Sequence, residues 1–371
     1  MVLDQALSFN SQSFEVVIVT GGELGHLAEE ARKKNLRVEK LPQKNRKAAY
    51  RDLLCSIDAD VAVSHFSDLG YTLFRELGIP NITFIHNIYA FMPKRARAVF
   101  VSNDKYVTRY ISVSPKASTF AERNLGVLPS KIVTVPNGLM LDEHERRLVE
   151  PAKLTRADLG ILESDYVFLN PASYNLHKGH YLMANALVRI LKEREDIKIL
   201  CIGNVIYPPH VAELRNYIEQ RGLGRHMLLP GYHAAIQDPM RIADACLMPS
   251  FIEGWSVAMN EAMFYAKPLI LTDTGGAAEV IENNDTGILL PTEYPDFMSL
   301  SSQMLDELAY FPRTYKLEEP LAAAMKEFAD NPDKWAAAGQ RARQKLIERY
   351  DFRDAMRRYE EIMVEVMSES Q

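Results

Sequence analysis

The sequence has few cysteines, no long apolar run and no signal-peptide pattern. Its three cysteines, Cys55, Cys201 and Cys246, are widely spaced over 371 residues, which argues against a disulfide framework or a zinc site. No apolar stretch approaches the length of a transmembrane helix, and the first residues lack a basic segment followed by an apolar one. We therefore expect a protein of the reducing cytoplasm.

Charge is unevenly distributed along the chain. The net charge is −6, yet residues 1–150 hold 20 basic and 17 acidic residues, a net charge of +3. Two basic runs in this part, KNRKAAYR (44–51) and PKRAR (93–97), could contact an anionic partner such as a lipid surface. The simpler interpretation is that both runs are solvated helix faces. We expect at most a peripheral membrane contact and no nucleic-acid binding.

Two successive series of apolar β-rich runs, separated by helical stretches, predict an α/β protein with two lobes. Their nearly continuous apolar character is typical of strands buried on both faces of a parallel sheet. A polar segment (137–155) separates the series, so we predict two Rossmann-like lobes facing each other across a cleft. The strands are predicted at 15–20, 60–65, 82–86, 98–102, 110–114 and 131–136, then at 165–171, 197–203, 226–231, 245–250, 267–273 and 286–291.

The stretch FIEGWSVAMNEAMF (251–264) joins a strand to a helix and carries two carboxylates, Glu253 and Glu261. Amide groups at the start of a helix have no intrahelical acceptor and suit a phosphate. Two acceptor-only carboxylates, one on each side of such amides, suit a ligand with hydroxyls at both ends and phosphates between them. A nucleotide sugar has that layout. The alternative is that Glu253 caps the helix and Glu261 is solvated.

With its surroundings, this corner resembles the signature of retaining GT-B glycosyltransferases of glycosyltransferase family 4. The Glu-x7-Glu motif lies within PS-x2-EG-x-S and is followed by TDTGG-x2-E and TGILLP. The resemblance also covers VTVPNGLM (133–140) and HKGHYLMANAL (177–187), and extends from about residue 58 to the C-terminus. It implies an N-terminal acceptor lobe (1–145), a C-terminal donor lobe (146–349) and a last helix (350–371) that crosses back to the first lobe.

The resemblance also implies roles for individual residues. His86 and Glu253 would contact the donor sugar, Lys178 would neutralise the donor diphosphate, and Glu261 would bind the ribose hydroxyls. The remaining donor contacts would come from the turn residues Gly254, Trp255, Ser256 and Val257, and from Tyr232 beside the nucleobase. From residue type alone, His86 and Tyr232 could be structural and Lys178 could be an exposed lysine at a helix start. His65, in the similar run AVSH, is a weaker candidate.

No metal ion or cofactor is expected, and the nucleotide-diphosphate sugar would be a substrate. Asp58 and Asp60 spell a D-x-D sequence, which binds metal in another glycosyltransferase fold, but here it precedes a strand and is typical of a turn. Glu279 lies in the first turn of a helix, where the helix dipole favours a carboxylate regardless of function.

The sequence departs from the family in three places. Most relatives carry an arginine five or six residues before the donor lysine, and here those positions are Ser173 and Ala172. The N-terminal residues resemble the end of the family's first helix, so we expect the first strand-helix unit to be missing. The alternative is that 16–34 is itself the opening strand-loop-helix. The stretch 291–320 is longer than usual and has no predicted role.

These patterns predict a metal-independent retaining glycosyltransferase that uses a nucleotide-diphosphate sugar and a glycan, lipid-linked or small-molecule acceptor. A polysaccharide biosynthesis role and a cytoplasmic location, with possible contact at the inner membrane face, would fit. The substituted arginine and the short N-terminus instead favour a nucleotide-sugar-binding subunit with little activity. A nucleotide-sugar epimerase of the same fold is a further alternative.

Overall fold

The first half of the chain contains two separate parallel sheets. The computed structural model describes residues 2–282, 285–310 and 314–369. Its first strands are β1 (Val17–Thr20), β2 (Arg37–Lys40), β3 (Ala62–His65), β4 (Asn81–Ile85), β5 (Arg109–Ser112) and β6 (Ile132–Thr134). Strands β3 to β6 form one parallel sheet in sequence order, and β1 and β2 form a separate parallel pair. A cavity of about 440 Å³ lies between β1 and β3. We call these six strands and their helices the first lobe.

The second half contains one continuous parallel sheet. Its strands are β7 (Tyr166–Pro171), β8 (Ile197–Ile202), β9 (Met227–Gly231), β10 (Ala245–Met248), β11 (Leu269–Thr272) and β12 (Gly287–Leu290). They are ordered β12-β11-β10-β7-β8-β9, which is the strand order of a doubly wound Rossmann-like lobe. Strands β7, β10 and β11 are buried along their whole length, because helices cover both faces of a parallel sheet. We call this half the second lobe.

Helices connect the strands and cover the sheets. They are α1 (Val2–Ser8), α2 (His26–Lys33), α3 (Arg46–Ser56), α4 (Tyr71–Leu77), α5 (Lys94–Asn103), α6 (Pro115–Leu125), α7 (Leu141–Leu148), α8 (His180–Ile190), α9 (Pro208–Gln220), α10 (Gln237–Ile242), α11 (Val257–Phe264), α12 (Ala277–Val280), α13 (Ser302–Ala309), α14 (Glu318–Asp330), α15 (Pro332–Arg349) and α16 (Phe352–Ser368). Gly78 and Gly126, with φ of 71° and 70°, end α4 and α6 as their sequence signals predict. Within the described ranges, no helix is long and apolar enough to cross a membrane.

One predicted strand is wrong. The run AVFVS (98–102) lies within α5, which begins after Pro93 at its N-cap position. A short apolar run does not by itself distinguish a strand from a helix. Here the preceding Lys-Arg-Ala-Arg residues extend the helical segment to ten residues and decide the outcome. The other predicted strands are present in the structure.

Helix α16 returns from the second lobe and packs against the first-lobe sheet. Its apolar face contacts the β4 and β5 side chains Ile82, Phe84 and Ile111. The rings of Tyr359 and Phe84 meet edge to face, with centroids 5.1 Å apart. The last helix is therefore part of the first-lobe core.

The stretch 291–320 joins the two lobes near the corner 251–264. The Tyr294 hydroxyl donates a hydrogen bond to the Phe251 carbonyl (2.8 Å), and Asn124 of α6 donates to the Met298 carbonyl (2.7 Å). Residues 311–313 of this stretch lie outside the described residues. The part that is described holds the loop before Glu253 and reaches the first lobe.

Candidate functional site

The corner between β10 and α11 is held in place by polar contacts from three directions. The Glu253 amide donates to Thr274 Oγ1 (3.1 Å). Asn137, from the segment after β6, donates to the Trp255 carbonyl (3.0 Å) and accepts from Asn260 of α11 at its own carbonyl (2.7 Å). The Trp255 indole in turn donates to Asn260 Oδ1 (3.0 Å). The turn 254–257 is therefore a fixed backbone at the start of a helix, which is a geometry that suits an anion.

Gly254 lies against the first lobe. A Cβ atom at this position would be 2.0 Å from the His86 carbonyl oxygen, so only glycine fits. An antiparallel bridge connects Asn87 with Gly254. The two lobes thus meet backbone to backbone at the corner, and the glycine serves this contact.

Lys178 and Glu253 are brought together. Lys178 ends a short helical turn after β7, and its Nζ atom donates to Glu253 Oε1 (2.5 Å). Ser250 donates to the same oxygen (2.8 Å). Gly179 follows with a φ of 74°, and a Cβ there would lie 2.3 Å from the Pro249 carbonyl oxygen. This close approach places the lysine at the carboxyl ends of β7 and β10, where doubly wound sheets bind their ligands.

Glu261 occupies a different environment from Glu253. It lines a cavity of about 220 Å³ with Asn137, His144, Arg147 and Val257. Burial raises the pKa of Glu261 to about 7, although Arg147 favours the charged form. The Nε2 atom of His144 lies 4.0 Å from Glu261 Oε1, and burial lowers the pKa of His144 to about 4. Glu261 therefore places a largely buried carboxyl group in this cavity, where its oxygens could accept hydrogen bonds from hydroxyl groups.

His86 directly follows β4 and belongs to a stack of rings. Its Nε2 atom lies 3.0 Å from Nδ1 of His65, and the Phe66 ring stacks on its imidazole with centroids 4.2 Å apart. Burial lowers the pKa of His86 to about 4. Burial and then repulsion from His86 lower the pKa of His65 to about 3. Both rings are therefore neutral at pH 7 and share one proton between the facing nitrogens. The buried Nδ1 atom of His86 has no protein partner within the described residues.

Four other residues considered in the sequence are Tyr232, Asp58, Asp60 and Glu279. Tyr232 follows β9 with 65% of its surface exposed, so it does not pack in the core. Asp58 and Asp60 are both exposed. In the described part of the chain, no group of three or more His, Cys, Asp or Glu side chains could hold a metal ion. Glu279 is half-buried, and burial raises its pKa.

Three residues that form contacts at the site, Asn137, Arg147 and Lys116, were not assigned to it from the sequence. Asn137 lies in VTVPNGLM, where the motif marks the segment but not the contact to Trp255. Arg147 approaches Glu261 from α7, in a segment predicted only as a linker. Lys116 of α6 pairs with Asp273 and donates to its carbonyl oxygen (2.8 Å), which fastens the first lobe to the loop after β11. All three depend on contacts between distant parts of the chain.

Comparison with known proteins agrees with this geometry. Residues 152–306 match the family model of glycosyl transferases group 1. The matched residues lie in the second lobe, which is similar to this group. The structure of Anabaena Alr3699/HepE in complex with UDP and glucose superposes with a TM-score of 0.80 at 17% identity, covering 98% of this chain and 95% of that one. With its two Rossmann-like lobes, the chain has the GT-B fold predicted from its sequence.

The curated proteins to which this chain is similar are distant relatives. A D-inositol 3-phosphate glycosyltransferase of Jonesia denitrificans is 26% identical over 180 residues, which are 45% of this chain and 41% of the relative. An Escherichia coli UDP-Gal:alpha-D-GlcNAc-diphosphoundecaprenol alpha-1,3-galactosyltransferase is 24% identical over 246 residues, which are 62% of each chain. The chain therefore spans about half the length of these curated relatives.

Proposed function

We propose that this protein transfers a glycosyl group from a nucleotide-diphosphate sugar to an acceptor, with retention of anomeric configuration. The observation that carries the proposal is the Lys178–Glu253 pair at the strand-turn-helix corner of a group 1 lobe. The similar proteins are named as glycosyltransferases, and several similar structures contain UDP, which makes a uridine nucleotide the first donor to test.

Lys178 would stabilise the leaving diphosphate. A fixed ammonium near developing phosphate charge lowers the barrier to departure, and the backbone amides of 255–257 add dipoles at the same end of the helix. No metal ion is assigned to this task, because the lysine and the helix start supply the positive potential. Ser173 and Ala172 replace the family's arginine, so Lys178 would carry more of the charge stabilisation than in most relatives.

The two glutamates and His86 would hold the sugar and the ribose. Glu253 would accept from a sugar hydroxyl with the oxygen that Lys178 and Ser250 do not use. Glu261 would accept from the ribose hydroxyls at the far end of the corner. His86 would contact the donor sugar, and His65 would fix the proton on its Nε2 atom.

Retention is what the resemblance to glycosyltransferase family 4 implies. A double displacement needs a carboxylate free to act as a nucleophile. Glu253 Oε1 is engaged by both Lys178 and Ser250. The resemblance favours attack on the same face as the departing diphosphate, which would also take the acceptor proton.

A panel of UDP-, GDP- and ADP-sugars tests the proposal. Slow hydrolysis of one donor, lowered about 10²-fold or more by Lys178→Ala, is the expected result. Lys192→Ala is the matched control, because Lys192 is exposed at the end of α8 and distant in sequence from the corner. An isomerised sugar nucleotide as the product would instead establish an epimerase.

The second candidate is a nucleotide-sugar-binding subunit. The substitution of the family's arginine by Ser173 and Ala172 favours it, because the diphosphate then faces one positive side chain fewer. Tight donor binding by the unmodified chain, with neither hydrolysis nor transfer of any donor, would support this function and contradict the transferase.

A further inference from the structure

Helix α5 covers a large apolar cavity in the first lobe. The cavity has a volume of about 730 Å³ and lies between α5, the loop after β3 and the ends of β4 and β5. No residue of α5 is buried, although the helix contains Ala-Val-Phe-Val. A surface helix normally buries its apolar stripe against the protein. Here Val99 lines the cavity and remains 45% exposed.

Aromatic side chains form much of the cavity wall. Phe100 of α5 stacks with Tyr110 (centroids 5.8 Å apart), and Tyr89 meets Phe100 edge to face at 5.9 Å. Phe91 and Met92 complete the side that faces the second lobe. The exposed lining of the cavity is mainly apolar, and a cavity of this size then has the character of a small-molecule site for an apolar group. A bare oligosaccharide would leave its hydroxyls unpaired against these rings.

A positive charge lies on the cavity wall. Arg95 lines the cavity, and within the described residues no carboxylate forms an ion pair with it. The cavity's own carboxylate, Asp68, accepts a hydrogen bond from Asn103 (2.9 Å). The guanidinium of Arg95 therefore remains available to an anionic group, for which a planar fork of donors suits phosphate.

The cavity reaches the reaction centre through Phe66. This residue is 72% exposed, has a φ of 53°, and stacks on His86. A bulky residue rarely adopts a positive φ, and the strain is tolerated where surrounding contacts require it. Because Phe66 lines the cavity on one side and touches His86 on the other, a molecule in the cavity lies one ring away from that histidine.

We propose that this cavity binds the apolar chain of an amphiphilic acceptor whose phosphate or diphosphate contacts Arg95 and whose accepting hydroxyl lies near His86. As an acceptor site it rests on the proposed transferase function. It also gives the basic run PKRAR a defined ligand, in place of a general attraction to an anionic surface.

Calorimetric titration of the full chain with farnesyl phosphate, in the absence of any donor, tests the proposal. Farnesyl phosphate should bind at least tenfold more tightly than farnesol or methyl phosphate, because only it contacts both the rings and Arg95. Arg95→Ala should reduce its affinity about tenfold and leave farnesol unchanged. Lys94→Ala, which removes a neighbouring charge that does not line the cavity, is the control.

A matched valine pair separates the cavity from the surface of α5. Val99 and Val101 are 45% and 46% exposed on the same helix, but only Val99 lines the cavity. Val99→Asp should reduce farnesyl phosphate affinity tenfold or more, and Val101→Asp should leave it unchanged, with thermal denaturation confirming that both variants fold. Equal losses in the two variants, or no binding by the unmodified chain, would overturn the proposal.

A second titration uses vesicles of phosphatidylglycerol. Vesicle binding that Lys94→Ala and Val101→Asp weaken, without farnesyl phosphate binding, would identify α5 as a membrane-surface helix and refute the cavity site. Because these measurements need no turnover, their failure is distinct from failure of the transferase proposal. Lys178→Ala should bind farnesyl phosphate like the unmodified chain.

Discussion

Replacing Glu261 with glutamine should make the protein more stable and less able to bind its donor. Burial raises the pKa of Glu261 to about 7, so the folded protein holds this carboxyl in its neutral form more strongly than the unfolded chain does. The contribution of the neutral carboxyl group to the free energy of unfolding is therefore fully present below the ordinary pKa of 4.5 and is lost as the pH rises through 7. Glutamine has the same shape and no charge to bury.

The magnitude follows from the pKa difference. A change from an ordinary value of 4.5 to about 7 corresponds to about 3 kcal/mol of unfolding free energy above pH 8. One fifth of the side chain is exposed, and solvent screening reduces the effect to about 2 kcal/mol. At pH 5 the expected difference between Glu261→Gln and the unmodified chain is below about 1 kcal/mol.

Urea denaturation at pH 5 and pH 8 measures both differences. Glu219→Gln, at an exposed position of α9, should change the free energy by less than about 0.5 kcal/mol at either pH. Donor titration completes the assay: affinity should increase between pH 6 and pH 8 in the unmodified chain, as Glu261 ionises, and should be lower and pH-independent in the variant. A stabilisation equal at both pH values, or none at pH 8, would refute the reasoning.

Three further substitutions test the lobe contact, the last helix and the histidine pair. Gly254→Ala places a Cβ 2.0 Å from the His86 carbonyl oxygen and should push the lobes apart. We expect a larger radius of gyration in small-angle scattering and a loss of donor turnover of at least 10²-fold. The control Gly224→Ala, whose Cβ would have no neighbour within 4 Å, should change neither quantity. Tyr359→Ala should lower the unfolding free energy by about 3–5 kcal/mol in urea, because the side chain is 1% exposed against Phe84. His65→Phe should lower donor turnover about tenfold and give a mixed tautomer of His86 in ¹⁵N NMR spectra, whereas an unchanged single tautomer would exclude a positioning role.

Much of the fold is predictable from the sequence because parallel strands produce a strong local signal. The buried runs of the second lobe, such as DYVFLNP and ACLMPS, are apolar at nearly every position and occur where predicted. The run AVFVS has the same composition but follows a basic helical segment, and its outcome depended on residues outside the run. The separation of β1 from β3 also depends on long-range pairing that composition does not report.

The candidate site is predictable in part from motifs. The motif around Glu253 and the segment HKGH each predicted a donor contact at the end of a strand, and the structure brings Lys178 and Glu253 together because those strand ends are adjacent. The pairing of His65 with His86 depends on the register of β3 and β4, where His65 lies opposite Phe84. The position of Glu261 beside Arg147 depends on how α7 packs, and no local pattern reports it.

The packing of α16 determines the order in which the protein can fold during synthesis. Side chains of β4 and β5 emerge from the ribosome more than 200 residues before the helix that covers them. The ion pair between Arg109 of β5 and Glu369, at the end of that helix, likewise joins residues 260 positions apart. Before α16 has been synthesised, Ile82, Phe84 and Ile111 lack the apolar helix face that packs on them, and chaperones recognise such exposed apolar strands. The strand that carries His86 therefore acquires its final support only after the second lobe has been made.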